Sequence, residues 1–357
     1  MSFTRCRLCL YPTTKPDLHF DETGQCSACR AYSKRPEIDW KAREEELIKI
    51  LDSHKNTSGF DCIVPSSGGK DSHWQALKII ELGYKPLIVT ATTCKLTDVG
   101  RRNIDNLARY ATTIEVSPNK TVRKNLNRFG LETVGDISWP EHMAIFTTPF
   151  RIAADLKIPL IFYGECPQEA YGGPPETDQA KTLTTRWRSE FGGFLGLRPS
   201  DAIGQMGITE RDMTDYVLPE NLEGITAYFL GQFYEWDSHR NIEVAKSHGM
   251  TTDYLPCEAN WWMGENLDNA HTGLHDHLCF LKYGYGRAAA QLSVDIRKGL
   301  ISREEALKIC EQRDGLFPYD YMGIDVEEIL DDLEMSQEEL EVILDRFTNK
   351  EINKKVA

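Results

Sequence analysis

Apolar side chains along this chain recur with two different periods. The run Phe60-Asp61-Cys62-Ile63-Val64-Pro65 is short and mostly apolar, which suits a buried strand. Directly after it, residues 71–82 alternate apolar and polar positions at helical spacing. The rhythm repeats: a strand over 86–91, a helix over about 98–110, a strand over 113–116, a helix over about 141–156 and a strand over 158–163. Strands alternating with helices predict an α/β fold built on a doubly wound parallel sheet, covered on both faces.

The flanks read differently. Residues 1–38 are rich in Cys, Pro, Thr and Gly, show no helical period, and hold too little apolar material for a core of their own. Over 39–57, Trp40, Leu47, Ile48 and Leu51 sit among Glu, Lys and Arg as in a surface helix that links this module to the α/β part, 58–200. The stretch from Glu165 to about Ala202 is a long loop containing Gly and Pro, and loops of that length are usually functional. Beyond it, 201–357 reads as mainly helical: 227–249, 279–298, 302–313, and an acidic amphipathic pair over 326–347 around Ser336. There is no internal repeat.

Four of the ten cysteines change the picture at the N-terminus. Cys6-x2-Cys9 and Cys26-x2-Cys29, sixteen residues apart, have the spacing of a double-knuckle zinc site. Four thiolates close a tetrahedron and leave no open position, so the expected role is folding and docking rather than catalysis; iron suits the same ligands. With no run of eighteen apolar residues and Arg5 and Arg7 where a secretory signal would be apolar, the expected location is the cytoplasm, without membrane insertion. The net charge of −14 disfavours a nucleic-acid partner. The acidic C-terminal helices read as a solvated face, or as a surface for homo-oligomer association.

Ser67-Gly68-Gly69-Lys70-Asp71-Ser72 lies between strand and helix, where backbone amides converge on an anion at the positive end of the helix. The glycines permit close approach, the serine hydroxyls add hydrogen bonds, Lys70 neutralises charge and Asp71 is placed to hold Mg²⁺. The spacing is not that of a Walker A loop. It resembles the Ser-Gly-Gly-x-Asp-Ser signature of the PP-loop ATP pyrophosphatases, which generally cleave ATP to AMP and pyrophosphate. In that fold 89–92 and 117–119 would line the nucleotide pocket, which assigns Thr90 and Ala91 to ATP.

In combination, Arg5-Cys6-x-x-Cys9, Phe20-Asp21-x-x-Gly24-x-Cys26-x-x-Cys29, Ile38-Asp39-Trp40 and Pro65 to Ser72 resemble the N-acetyl sugar amidotransferase family. So do Gly164-Glu165 with Glu169 to Gly173, Phe229-Leu230-Gly231 with Trp236-Asp237, and Leu274-His275-Asp276 running into Lys282-Tyr283-Gly284-Tyr285-Gly286-Arg287. One position departs: Cys166 stands where the family pattern has an Asn.

The resemblance implies an ATP-dependent carbon–nitrogen ligase that turns an acetamido group of a nucleotide-activated sugar into an acetamidino group, for a surface polysaccharide such as a lipopolysaccharide O-antigen. Ammonia would come from a separate glutaminase, since the chain has neither an N-terminal nucleophilic cysteine nor a Gly-x-Cys-x-Gly elbow. Ser67, Gly68, Gly69, Lys70, Asp71, Ser72 and Gly164 are assigned to nucleotide and metal. Glu165 and Glu169, beyond a strand's carboxyl end, are assigned to orienting ammonia or accepting its proton. Tyr171, Lys282 and Arg287 are assigned to the sugar nucleotide, the last as a bidentate fork. His271, His275 and His277 have no clear ligand spacing or carboxylate partner, and read as polar or structural. The rival reading is a tRNA-thiolating PP-loop enzyme, which would need a closely spaced internal cysteine pair and a basic surface. A second rival is a scaffold that binds ATP without cleaving it.

Overall fold

The computed structural model describes residues 4–55, 59–165, 183 and 193–352. Its centre is a five-stranded, wholly parallel sheet of β1 (Cys62–Pro65), β2 (Pro86–Ala91), β3 (Thr113–Val116), β4 (Leu160–Tyr163) and β5 (Thr226–Phe229), in the order β3-β2-β1-β4-β5. Alternation along each strand divides the core. Cys62, Val64, Ile88, Leu160 and Phe162 pack against one helical layer with Leu47, Leu51, Trp74 and Ile79. Ile63, Leu87, Val89, Ile161 and Phe229 face the other side with Phe150 and Ala153.

The first layer is α2 (Trp40–His54), α3 (Lys70–Glu81) and α7 (Ser238–Ser247); the second contains α6 (Trp139–Leu156). Between them in the chain come α4 (Asp98–Leu107) and α5 (Lys120–Val134). The C-terminal part adds α8 (His271–Tyr283), α9 (Arg287–Arg297), α10 (Arg303–Arg313), a small hairpin of β6 (Asp320–Tyr321) and β7 (Ile324–Asp325), α11 (Val326–Asp332) and α12 (Gln337–Phe347).

Three sequence expectations need correction, and one unassigned span is a helix. The region 227–249 opens with β5, not a helix: Thr226-Ala227-Tyr228-Phe229 alternates at period two, and α7 starts only at its N-cap Asp237. The span 120–134, to which the sequence reading assigns no element, is α5, capped by Asn119 and ended by Gly135 in the left-handed region (φ 63°). The span 279–298 is two helices, because Gly284 (φ 76°) turns the chain between α8 and α9. The cysteine module contains the short helix α1 (Ser27–Lys34). Its first turn carries Cys29, so the metal spacing masked the helical period.

Candidate active site

In a sheet of this order the strand sequence reverses between β1 and β4, and a crevice opens beyond their carboxyl ends. Both connections there carry chemistry. After β1, Ser66 to Gly69 turn the chain into α3. Gly68 has φ +80°, and a Cβ on it would sit 2.7 Å from Ile104 Cγ1 and 2.9 Å from the Ile104 nitrogen, so only glycine fits. The loop is braced internally: Gly68 N–H donates to Ser66 Oγ at 3.0 Å and Ser67 N–H to Ser72 Oγ at 3.3 Å. No side chain caps α3 at Gly69, so its first-turn amides face the crevice as an anion site.

The charges around it are ordered. Lys70 Nζ, nearly buried, lies 2.5 Å from Asp71 Oδ2 and 3.0 Å from Glu265 Oε1. Asp71 Oδ1 also accepts from Asn241 Nδ2 at 2.8 Å, and Glu265 Oε2 from Gln291 Nε2 at 2.6 Å. Burial opposes ionisation of Glu265, but Lys70 and Arg287 outweigh it and hold its carboxyl below the usual range. Glu165, just past β4, keeps some solvent contact yet sits deep among protein atoms. Burial, then the charge of Asp71, push its carboxyl up to about 7. Asp71 and Glu265 thus share one ammonium, with Glu165 near enough to feel all three charges, a set of oxygens that a divalent cation would suit.

The raised carboxyl has a consequence for stability. The folded chain keeps the Glu165 proton up to about pH 7, whereas the unfolded chain releases it near 4.5, so stability falls as pH rises through that window. Glu165→Gln, which mimics the protonated acid, is expected to remove about 2 kcal/mol of that fall between pH 5 and pH 8. Urea unfolding of both proteins at the two pH values measures it; parallel pH dependences would show that Glu165 is not the group responsible.

Beside the loop lies a cleft of about 190 Å³, walled by Ser66, Ser67, Val89, Ala91, Thr92, Tyr163 and the α6 residues Glu141, Ala144 and Ile145. Its mostly apolar wall suits a flat heterocycle. Ala91 lines it, whereas Thr90 is buried within β2 and does not line this cleft. Asn119 serves as the cap of α5 instead. Gly164 is a packing glycine: a Cβ there would meet Gln75 Nε2 at 2.6 Å. A second cavity, of about 50 Å³, shares Glu265 with the charged cluster and is lined by Trp236, Trp262, Arg287, Arg297 and Lys298.

Arg287 reaches this second cavity while forming a fork onto Asp276, with both bonds at 2.8 Å. Lys282 instead donates to the carbonyls of Val134 and Gly135 at 3.2 and 3.0 Å. Glu169, Tyr171 and Cys166 lie outside the described residues. Glu265 and Asn241 were not foreseen. Gly264-Glu265-Asn266 sits in an aperiodic stretch, and only a glycine–carboxylate pair after two tryptophans marks it.

The four cysteines converge as expected. Their sulfurs lie within 4.8 Å of one another, with Cys6 to Cys29 at 4.0 Å and Cys9 to Cys26 at 3.7 Å. A tetrahedral zinc–thiolate site requires about 3.8 Å, so the donor set fits zinc. Cys6 Sγ also accepts from the Leu8 and Cys26 amides at 3.4 and 3.3 Å, which stabilises a thiolate. The module docks on the C-terminal helices. Leu10 N–H donates to Ser293 Oγ at 3.1 Å, and Arg303 donates to the Cys6 and Cys9 carbonyls at 3.1 and 3.2 Å.

Among the described residues, no helix is long and apolar enough to cross a membrane. No curated protein matches the chain. Residues 248–356, which carry α8 to α12, match the family model described as LPS biosynthesis protein WbpG-like, C-terminal domain.

Proposed function

We propose that the chain is an ATP-dependent sugar amidotransferase of the PP-loop type. The carrying observation is the meeting, at the β1/β4 reversal, of an uncapped helix end, the Gly68 turn and the Lys70–Asp71–Glu265–Glu165 cluster beside an apolar cleft. The likeness of 248–356 to a domain of lipopolysaccharide biosynthesis proteins favours a sugar substrate.

An amide carbonyl is a weak electrophile and its oxygen a poor leaving group, so the oxygen must be activated. In this reading the acetamido oxygen attacks the α-phosphorus of ATP, forming the O–P bond as the bond to pyrophosphate breaks. The α3 amides and Lys70 receive the pyrophosphate, and Asp71 and Glu265 would hold a Mg²⁺ ion, whose charge would offset that of the phosphates. Ammonia then adds to the activated carbon, a carboxylate takes the surplus proton, and AMP leaves with the original oxygen. Glu165, with its carboxyl near 7, suits that proton transfer at neutral pH. The adenine occupies the apolar cleft. The neighbouring cavity offers Trp236 and Trp262 to a sugar ring and Arg297 and Lys298 to a diphosphate.

The test is AMP and pyrophosphate formation from Mg²⁺-ATP with ammonium and a panel of acetamido sugar nucleotides. Product that depends on both sugar and ammonium supports the assignment. ADP and phosphate instead would refute adenylation, and sulfur transfer to tRNA would favour the thiolating alternative.

A further inference from the structure

A second set of metal-type ligands lies away from the charged cluster. Asp136, in the turn between α5 and α6, is almost fully buried. His142 stands on the first turn of α6 and His275 on α8. One donor atom from each falls within 4.8 Å of the others. Asp136 Oδ1 lies 2.8 Å from His275 Nδ1, and Oδ2 lies 3.2 Å from His142 Nδ1. Ligands 2.0–2.2 Å from one ion are separated by about 3.0–3.5 Å, so these contacts need only small ring rotations to close around a cation.

The two histidines are not equivalent. His275 makes a hydrogen bond to Asp136, but the approach of His142 is not one: its Nδ1 is buried without a hydrogen-bond partner. An ion between the three side chains would take the lone pairs of both nitrogens and the carboxylate together.

The carboxylate is held ready. The Ser138 amide donates to Oδ1 at 2.9 Å, and Asn127 pins the same turn through the Ile137 carbonyl at 2.6 Å. Lys282 also faces this turn, with its ammonium engaged by the Val134 and Gly135 carbonyls. Both imidazole side chains are about a quarter exposed, at 25% and 29%, which leaves room for water on the outer side.

We propose that Asp136, His142 and His275 bind one divalent first-row transition-metal ion, of the zinc or cobalt class, independently of the four cysteines. Two imidazoles and one carboxylate select such ions over Mg²⁺ or Ca²⁺, which prefer all-oxygen shells.

Cobalt distinguishes the two sites in one spectrum. Metal-stripped protein titrated with Co²⁺ in excess Mg²⁺, which keeps the Asp71–Glu265 position filled, is expected to bind two equivalents, one with intense thiolate charge-transfer absorption and one with only weak d–d bands. The double variant His142→Ala/His275→Ala should lose the weakly absorbing equivalent and keep the thiolate one, whose band also reports that the chain is folded. One equivalent in the wild type, or two in the double variant, would overturn the proposal. If that variant does not fold, Asp136→Asn is read in the same way.

Discussion

Asp71→Ala is expected to lower AMP and pyrophosphate formation by at least about 100-fold while the protein melts within a few degrees of the wild type. Groups that hold charge developing in a transition state are worth roughly two to three orders of magnitude in rate. The Asp71 side chain is about a quarter exposed at 27%, and its loss leaves Lys70 paired with Glu265 at 3.0 Å, so no buried ammonium is stranded. Asn241→Ala should cost less, about tenfold, because Asn241 only orients the Asp71 carboxylate through its 2.8 Å bond. Rates, nucleotide products and melting curves for the three proteins test this. Asp71→Ala activity within threefold of wild type would remove Asp71 from the metal role.

The second large effect belongs to the cysteine module. Cys26→Ser is expected to remove the thiolate-bound metal and to lower the melting temperature by about 10 °C or more, or to leave the chain insoluble. Structural zinc in small modules carries apparent binding free energies of about 10–16 kcal/mol, most of which is folding free energy. Here Cys6, Cys9, Cys26 and Cys29 are nearly the whole interior of their segment, joined by Tyr11, Leu18 and Ala28. Arg303→Ala separates docking from metal binding: it should keep the metal and cost about 1–3 kcal/mol through two abandoned carbonyls. Metal content by mass spectrometry, set beside calorimetric melting, measures both. A Cys26→Ser protein that melts with the wild type would make the site dispensable to the fold.

What could be read from the sequence follows the range of the interactions. The strand, glycine turn and helix from Phe60 to Glu81 are local, set by burial period and by backbone angles, and the sequence places them within one or two residues. The cysteine spacing is local too, since each knuckle brings its own two sulfurs together. Glu265 is different: it meets Lys70 only because the sheet and the C-terminal part pack together, and its neighbourhood offers no more than a glycine–carboxylate pair after two tryptophans. The Asp136 partner of His275 is likewise 139 residues away, which is why the histidines of α8 look unpartnered in sequence. His271 and His277 do behave as packed side chains, their imidazoles pushed down by burial to about 3 and about 4. Strand β5 was missed because tryptophan, tyrosine and phenylalanine run on past it, so that four residues of period two were absorbed into a longer helical pattern.

The docking of the N-terminal knuckles has a consequence for how the chain is made. Leu10 finds its place against Ser293, 283 positions later. At typical synthesis rates of roughly 5–20 residues per second, the nascent module waits about 15–60 s for its dock. Through that interval a metal on the four cysteines would be what holds it together, because the apolar side of Leu10 and Tyr11 has no cover. With zinc as the ion of the four cysteines, its supply would act on the ribosome-bound chain, and starvation for the metal would register as aggregation of new protein while molecules already assembled carried on unaffected.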